Sequence, residues 1–210
     1  MNTPTFPLAA MPADLTAEAV FVNLSGDYGY LSDGYYRSME AEHEGKVALP
    51  SPAEALDAYV VPLALAKAKA AGLAIPDWEI ANDDTVSFEP PLIAYPVNPF
   101  QSQGIVATDE PTTEETIKSL TMGGKYALVL QDMPKDSRVD TMRLVIGKCL
   151  KPEYADFGAE VWRIFRVPLA RVKVIVTRDR YLFSAIEPLP REELTQNEKG
   201  ILKDAGLWRS

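Results

Sequence analysis

The sequence predicts an α/β protein, a single domain whose mixed sheet of about five to six strands packs against helices. Three observations predict it. Short apolar runs at 19–22, 126–130 and 170–176 read as buried strands. Between them lie segments whose apolar residues recur at helical spacing, such as Leu56, Tyr59, Val60, Leu63 and Ala64. Helix-start signatures, Ser or Thr with Glu three residues on, stand at Ser51 with Glu54, Thr112 with Glu115 and Thr195 with Glu198. At 210 residues and 47% hydrophobic, the chain can bury one sizeable core.

Residues 1–18 hold Pro4, Pro7 and Pro12 and show no period, so an irregular lead-in is expected, docked through Phe6 and Leu8. The domain itself spans 19–210. After the strand at 19–22, Ser25-Gly26-Asp27 and Gly29 make a loop. Asp33 is the expected cap of a helix over 34–44, closed by Gly45, with Tyr35 and Met39 facing the core four residues apart. A short strand follows around Val47. The next helix spans 51–72, with Pro52 at its first position, and Pro62 kinks it or splits it in two. Lys67 and Lys69 suit its negative end, and Gly72 stops it.

Residues 75–80 read as a short extended piece, and Asn82-Asp83-Asp84 as a turn. Over 86–97, Pro90, Pro91 and Pro96 argue against a regular central strand, because each removes a ladder donor. Residues 98–104 are a loop and 105–107 a brief strand. A helix from Thr112 to about Leu120 ends at Gly123-Gly124, and a buried strand covers 126–130. After a turn at 135–137, a strand covers 141–150. Pro152 opens a helix to about Phe165 whose apolar face is Tyr154, Phe157, Val161, Ile164 and Phe165. Strands at 170–176 and 181–186 are joined by a turn at 177–180, and a last helix spans 196–205.

The formal charge of −9 argues against nucleic acid and anionic membranes as partners. No run reaches the roughly 18 apolar residues of a membrane span. The N-terminus lacks the basic stretch of a secretory signal. The one cysteine, Cys149, excludes an internal disulfide and a thiolate metal cluster and reads as an inert core thiol. A cytoplasmic protein is expected.

Several motifs resemble one family. Val22-Asn23-Leu24 is followed by Tyr28 and Tyr30-Leu31, then Gly34-Tyr35-Tyr36 with Ser38, then Leu49-Pro50-Ser51. Further on stand Leu144-Val145-Ile146-Gly147, Val161-Trp162-Arg163-Ile164-Phe165, Pro168-Leu169 and Val172. Together these resemble the RimK-like ATP-grasp N-terminal domain, which usually precedes an ATP-grasp amide ligase on the same chain. Ser25-Gly26-Asp27 stands where that family tends to carry Cys-Arg-Ser. The matching blocks cover about 19–60 and 141–205, and 61–140 is expected to be an inserted or elaborated middle region. The resemblance implies a non-catalytic accessory or substrate-handling domain acting with a separately encoded ATP-grasp ligase. Two other readings stand beside it: a module binding an amino acid or short peptide, and a homo-oligomeric structural or interaction protein.

The middle region also carries an echo of an ATP-grasp nucleotide lobe, in Gly72-Leu73 with Ile75-Pro76, Tyr95-Pro96-Val97 with Gly104, and Leu130-Gln131-Asp132-Met133-Pro134. Such a lobe needs a lysine on its first strand to meet phosphate, where Ala94 or Tyr95 stands, and a carboxylate–asparagine set for magnesium, where Glu187 is followed by Pro188-Leu189. No catalytic residue, metal site or cofactor is therefore expected. Ser25 to Gly29 lacks the glycine spacing and lysine of a phosphate loop. His43, the only histidine, sits between Glu42 and Glu44 and reads as a solvated surface residue. The candidate ligand-binding residues are Asn23, Tyr28, Tyr30, Gly34, Tyr35, Tyr36, Arg143 and Arg171. Tyrosine hydroxyls can donate into a pocket, and equally the rings can pack a core or an interface. An arginine beside an apolar strand wants a carboxylate, from the protein or from a ligand.

Overall fold

The computed structural model describes residues 19–82, 86–97 and 103–208. The expected lead-in at 1–18, the turn at 83–84 and most of the loop at 98–104 lie outside the described residues. The protein is α/β, with nine strands among the described residues. They form three sheets rather than the single sheet expected: a pair β1-β2, four strands in the order β3-β6-β4-β5, and three in the order β7-β8-β9. Among the described residues, no helix is long and apolar enough to cross a membrane.

The chain divides into two compact units. The first holds residues up to Leu56, Met142–Arg171 and Pro188 onward; the second holds Asp57–Thr141 and Val172–Glu187. The expected middle region, 61–140, falls within the second unit. The division passes through three strands, β7 (Arg138–Val145), β8 (Leu169–Val176) and β9 (Tyr181–Pro188).

In the first unit, β1 (Val20–Val22) and β2 (Val47–Leu49) pair in parallel, so the chain needs a crossover, and α1 (Asp33–His43) provides it. The N-cap of α1 is Ser32, not Asp33: the Ser32 hydroxyl accepts from the Tyr35 N–H, and Asp33 lies in the first turn, where a carboxylate suits the helix dipole. The inward face of α1 is Gly34, Ser38 and Ala41, not Tyr35 and Met39. Small residues let the helix approach its neighbours closely, and its large side chains are turned outward. After a 3-10 turn at Pro152–Tyr154, α5 (Ala155–Phe165) buries Gly158, Val161, Ile164 and Phe165. A capping box between Thr195 and Glu198 starts α6 (Gln196–Asp204). Around α6, Leu202 and Ala205 pack with Val145, Ile146, Leu169, Leu189 and Leu194.

In the second unit, Pro62 divides the expected long helix into α2 (Pro52–Tyr59), which starts in the first unit, and α3 (Val61–Ala70), where the proline sits in the first turn. The strands β3 (Trp78–Ala81), β4 (Leu92–Pro96), β5 (Ile105–Ala107) and β6 (Leu128–Asp132) pair antiparallel. The structure corrects the reading of 86–97. β4 is an inner strand, paired with β5 on one side and β6 on the other, and all five of its residues are buried. Its prolines do not break it because Pro90 and Pro91 precede the ladder and Pro96 closes it. The helix α4 (Glu110–Leu120) starts earlier than expected, because Asp109 rather than Thr112 is the cap and the Thr112 hydroxyl reaches back to complete the box. Ile117 and Leu120 of α4 pack on Leu92, Ala94, Ala107, Leu128 and Leu130.

Candidate functional site

The end of β1 and the start of α1 meet at Asn23, which is buried. Its side-chain amide donates to the Gly34 carbonyl (2.6 Å) and the Ser38 hydroxyl (3.0 Å), and its side-chain oxygen accepts from the Ser25 N–H (3.1 Å). Its backbone is bonded as well: the N–H donates to Leu49 of β2, and the carbonyl accepts from the Tyr28 hydroxyl at 2.8 Å. One side chain thus ties strand, loop and helix start together. Asn23→Ala is expected to cost about 2 kcal/mol, because it leaves a buried carbonyl and hydroxyl short of a donor; a chemical-denaturation series on the two proteins measures it.

Gly34 lies where a Cβ would overlap the Asp27 carbonyl and the Ser25 hydroxyl, so only glycine lets the loop rest on the helix start. The loop is held by Ser25 and Ser32, whose hydroxyls both donate to the Asp27 carbonyl at 3.1 Å, and by the Gly29 N–H on the Asp27 carboxylate at 2.9 Å. Its other side is stitched to a distant segment: the Leu189 N–H donates to Gly26, and the Arg191 N–H donates to Ser25.

These constraints shape a cleft of about 680 Å³, within the range of small-molecule sites. Asn23, Ser25, Gly34, Arg37 and Arg191 line it, together with the carboxylates of Asp27, Asp33 and Glu192. Arg37 is paired with Asp33 at 2.7 Å. The Arg191 guanidinium lies 4.1 Å from the centre of the Trp208 ring, and Arg191 has no ion-pair partner among the described residues. Stacking on an aromatic face restrains a guanidinium plane while its in-plane N–H groups stay available for hydrogen bonding. A wall carrying both cations and carboxylates is chemically suited to a zwitterion or a short peptide.

Of the expected candidates, the structure brings Asn23 and Gly34 to this cleft. Tyr28 is wholly buried, and burial raises its phenol far above the ordinary tyrosine range; its hydroxyl is a structural donor to Asn23. Tyr30, Tyr35 and Tyr36 form an edge-to-face series, with ring centres 5.5 Å and 6.3 Å apart, away from the cleft lining. Arg143 and Arg171 are together elsewhere in the first unit. Arg143 donates to both carboxylate oxygens of Glu198 (2.6 and 2.8 Å) and to the Glu193 carbonyl (2.9 Å), and Arg171 pairs with the Glu193 carboxylate. Sequence reasoning missed Ser32, Arg37 and Arg191. Ser32 carried a signal, standing three residues before Tyr35 at a helix start, whereas Arg191 is brought in only by backbone pairing with residue 25.

Three more residues complete the picture. Cys149 is half-buried, and burial raises its thiol pKa, which disfavours the thiolate. His43 is exposed. In the second unit, the Tyr95 ring lies directly beneath Gly104, where a Cβ would overlap it. Its hydroxyl shares a 2.9 Å hydrogen bond with Ser184, which donates to Gln131 at 2.7 Å. Among the described residues, no three His, Cys, Asp or Glu side chains converge as a metal-holding group.

The chain belongs to the RimK-like ATP-grasp N-terminal domain family, whose model matches residues 8–76 and 97–205. Of the expected middle elaboration, only 77–96 lies outside that match. Its fold is similar to solved ATP-grasp structures. A RimK domain ATP-grasp protein from Sphaerobacter thermophilus is 13% identical with a TM-score of 0.63, over 90% of this chain and 79% of that one. The D-alanine-D-alanine ligase of Helicobacter pylori is 16% identical with a TM-score of 0.62, over 90% and 72%. The ATP-grasp ligase PsnB, solved with a minimal precursor, magnesium and ADP, is 14% identical with a TM-score of 0.51, over 80% and 62%. No curated protein sequence matches the chain.

Proposed function

We propose that this chain is a substrate-handling accessory domain of an ATP-grasp amide- or peptide-ligase system, working with an ATP-grasp ligase that performs the nucleotide chemistry. The observation that carries the accessory assignment is Tyr95. The nucleotide lobe echoed in the second unit needs a lysine at Ala94 or Tyr95 on β4 and room for phosphate under the glycine loop. Here both positions are fully buried, and the Tyr95 ring lies against Gly104, anchored through Ser184 and Gln131. Burial pushes the Tyr95 phenol well above its ordinary range, so it presents no charge of either sign at neutral pH.

The cleft of the first unit favours a more specific role, holding an amino acid or short peptide. Arg191 supplies fixed donors for a carboxylate, and Asp27 and Glu192 supply acceptors for an ammonium group. A thermal-shift screen tests both parts. A ligand at about 100 times its dissociation constant adds roughly 2.7 kcal/mol of stability. The expected result is a shift with an amino acid or short peptide, lost in Arg191→Gln, and none with ATP–magnesium. A shift with ATP–magnesium overturns the accessory reading, and a peptide shift unchanged in Arg191→Gln removes the cleft from the site.

A further inference from the structure

We propose that the outward stripe of α1, together with Tyr30 and Leu31, is a docking surface for a cationic protein segment in which lysines or arginines border aliphatic side chains. The proposal is independent of the cleft and of its ligand.

The stripe follows from the inversion of α1. Its inward positions are Gly34, Ser38 and Ala41. At about 100° per residue, Tyr35, Met39 and Tyr36 fall together on another face, with His43 between the last two. Tyr36 is 47% exposed and Met39 37%. The loop extends the stripe, because Tyr30 and Leu31 are each 46% exposed and the Tyr30 ring meets that of Tyr35 edge to face. Four of the eleven exposed large hydrophobic side chains among the described residues thus lie within ten consecutive positions. Single exposed hydrophobics are ordinary on a protein surface, but a contiguous set marks an interaction site.

The backbone adds a second observation. Leu31 is left-handed, at φ 68°, a conformation that a leucine adopts at a cost. The Ser32 N–H on Gly29, the Ser32 hydroxyl on Asp27 and the Gly29 N–H on the Asp27 carboxylate hold the loop in this form. The strain sets an apolar side chain into solvent rather than into the core, and strain retained at an exposed apolar residue points to a function outside the fold.

Charge selects the partner. Glu42 borders the stripe on one side, and Glu40 and Asp33 border it on the other. Asp33 is neutralised by Arg37, while Glu40 and Glu42 have no cationic partner among the described residues. A second copy would bring these carboxylates against their own kind in a chain of formal charge −9. A cationic segment instead meets the carboxylates with its charges, the tyrosine faces with lysine or arginine, and the apolar stripe with its aliphatic side chains.

The probe is a fluorescein-labelled amphipathic helical peptide of leucine and lysine, with a leucine–glutamate peptide of the same spacing as control, read by anisotropy. The variant Tyr36→Ala/Met39→Ala removes the stripe at exposed positions and leaves the inward face intact. Glu40→Gln/Glu42→Gln removes the border charges, and Glu114→Gln/Glu115→Gln, on exposed positions of α4, removes the same charge elsewhere. The expected result is binding of the lysine peptide only, weakened at least about tenfold in the stripe variant and in the Glu40/Glu42 variant, and unchanged in the Glu114/Glu115 variant. Equal effects of the two charge variants, an unaffected stripe variant or no binding of the lysine peptide overturns the proposal. So does sedimentation showing a dimer that the stripe variant abolishes, since the face would then serve a second copy.

Discussion

Gly26→Ala is expected to lower the unfolding free energy by about 3 kcal/mol, with the denaturation midpoint falling accordingly. Two separate costs combine. Gly26 has φ +80°, where an L-residue pays about 1–2 kcal/mol. A Cβ there would also overlap the Leu189 carbonyl oxygen and crowd the Pro190 Cα, both backbone and neither free to swing aside. The Leu189 N–H is bonded to the Gly26 carbonyl, so displacing either segment breaks that bond too. Gly45→Ala supplies the internal comparison. Gly45 has almost the same φ, +77°, with nothing within 4 Å of an added Cβ, and its substitution is expected to cost only about 1 kcal/mol. Urea melts of the two variants side by side separate the steric cost from the conformational one, and equal losses would show that 26 and 189 move apart freely. Because Ser25 and Asp27, the neighbours of Gly26, line the cleft together with Pro190 and Arg191, Gly26→Ala should also weaken any amino-acid or peptide binding seen in the thermal-shift screen.

Arg143→Ala is expected to cost about 3–5 kcal/mol, the usual consequence of stripping one partner from a buried ion pair. The Glu198 side chain is only 4% exposed, and Arg143 meets both of its oxygens. Removing the guanidinium leaves the carboxylate with Thr195 alone, through the capping box of α6. The same pair sets an acid dependence. Burial pushes the Glu198 carboxyl up, but the hydrogen bonds from Arg143 and Thr195 together with the Arg143 charge outweigh it and hold the group below the ordinary range. A carboxyl depressed in the folded state contributes stability above its unfolded value, about 4.3, and loses it as pH falls through the folded value. Stability of the native sequence should therefore drop below about pH 4, and the drop should be shallower in Arg143→Ala. Denaturation curves collected from neutral to acid pH give both quantities, and parallel pH dependences would sink the assignment.

The local chemistry of this chain is legible in its sequence. The capping box at Thr195, the helix start at Ser51, the split at Pro62 and the strand at β8 follow from rules that act over three or four residues. The Asn23–Gly34 segment is legible as the centre of the candidate site for the same reason, because an apolar run, a glycine loop and a helix cap are consecutive in sequence. Its family is legible too, through the spacing of Asn23, Tyr28, Gly34, Tyr35 and Tyr36. Boundaries fail where two local signals compete, as at Ser32 against Asp33 and at Asp109 against Thr112.

Long-range pairing decides the rest. Whether β4 is an inner strand depends on where its prolines fall relative to partners 32 or more residues away, in β6, and not on their number. The inward face of α1 is chosen by how closely a strand and a loop approach it, so Gly34, Ser38 and Ala41 prevail over the larger Tyr35 and Met39. Arg143 is bonded to a glutamate 55 positions on, and Arg191 reaches the cleft through a backbone bond to Ser25. Local sequence dictates which backbone conformations and caps are cheap within one turn. Which side chains meet is dictated by the burial of apolar surface over the whole chain, and that sum exists only once the distant segments have come together.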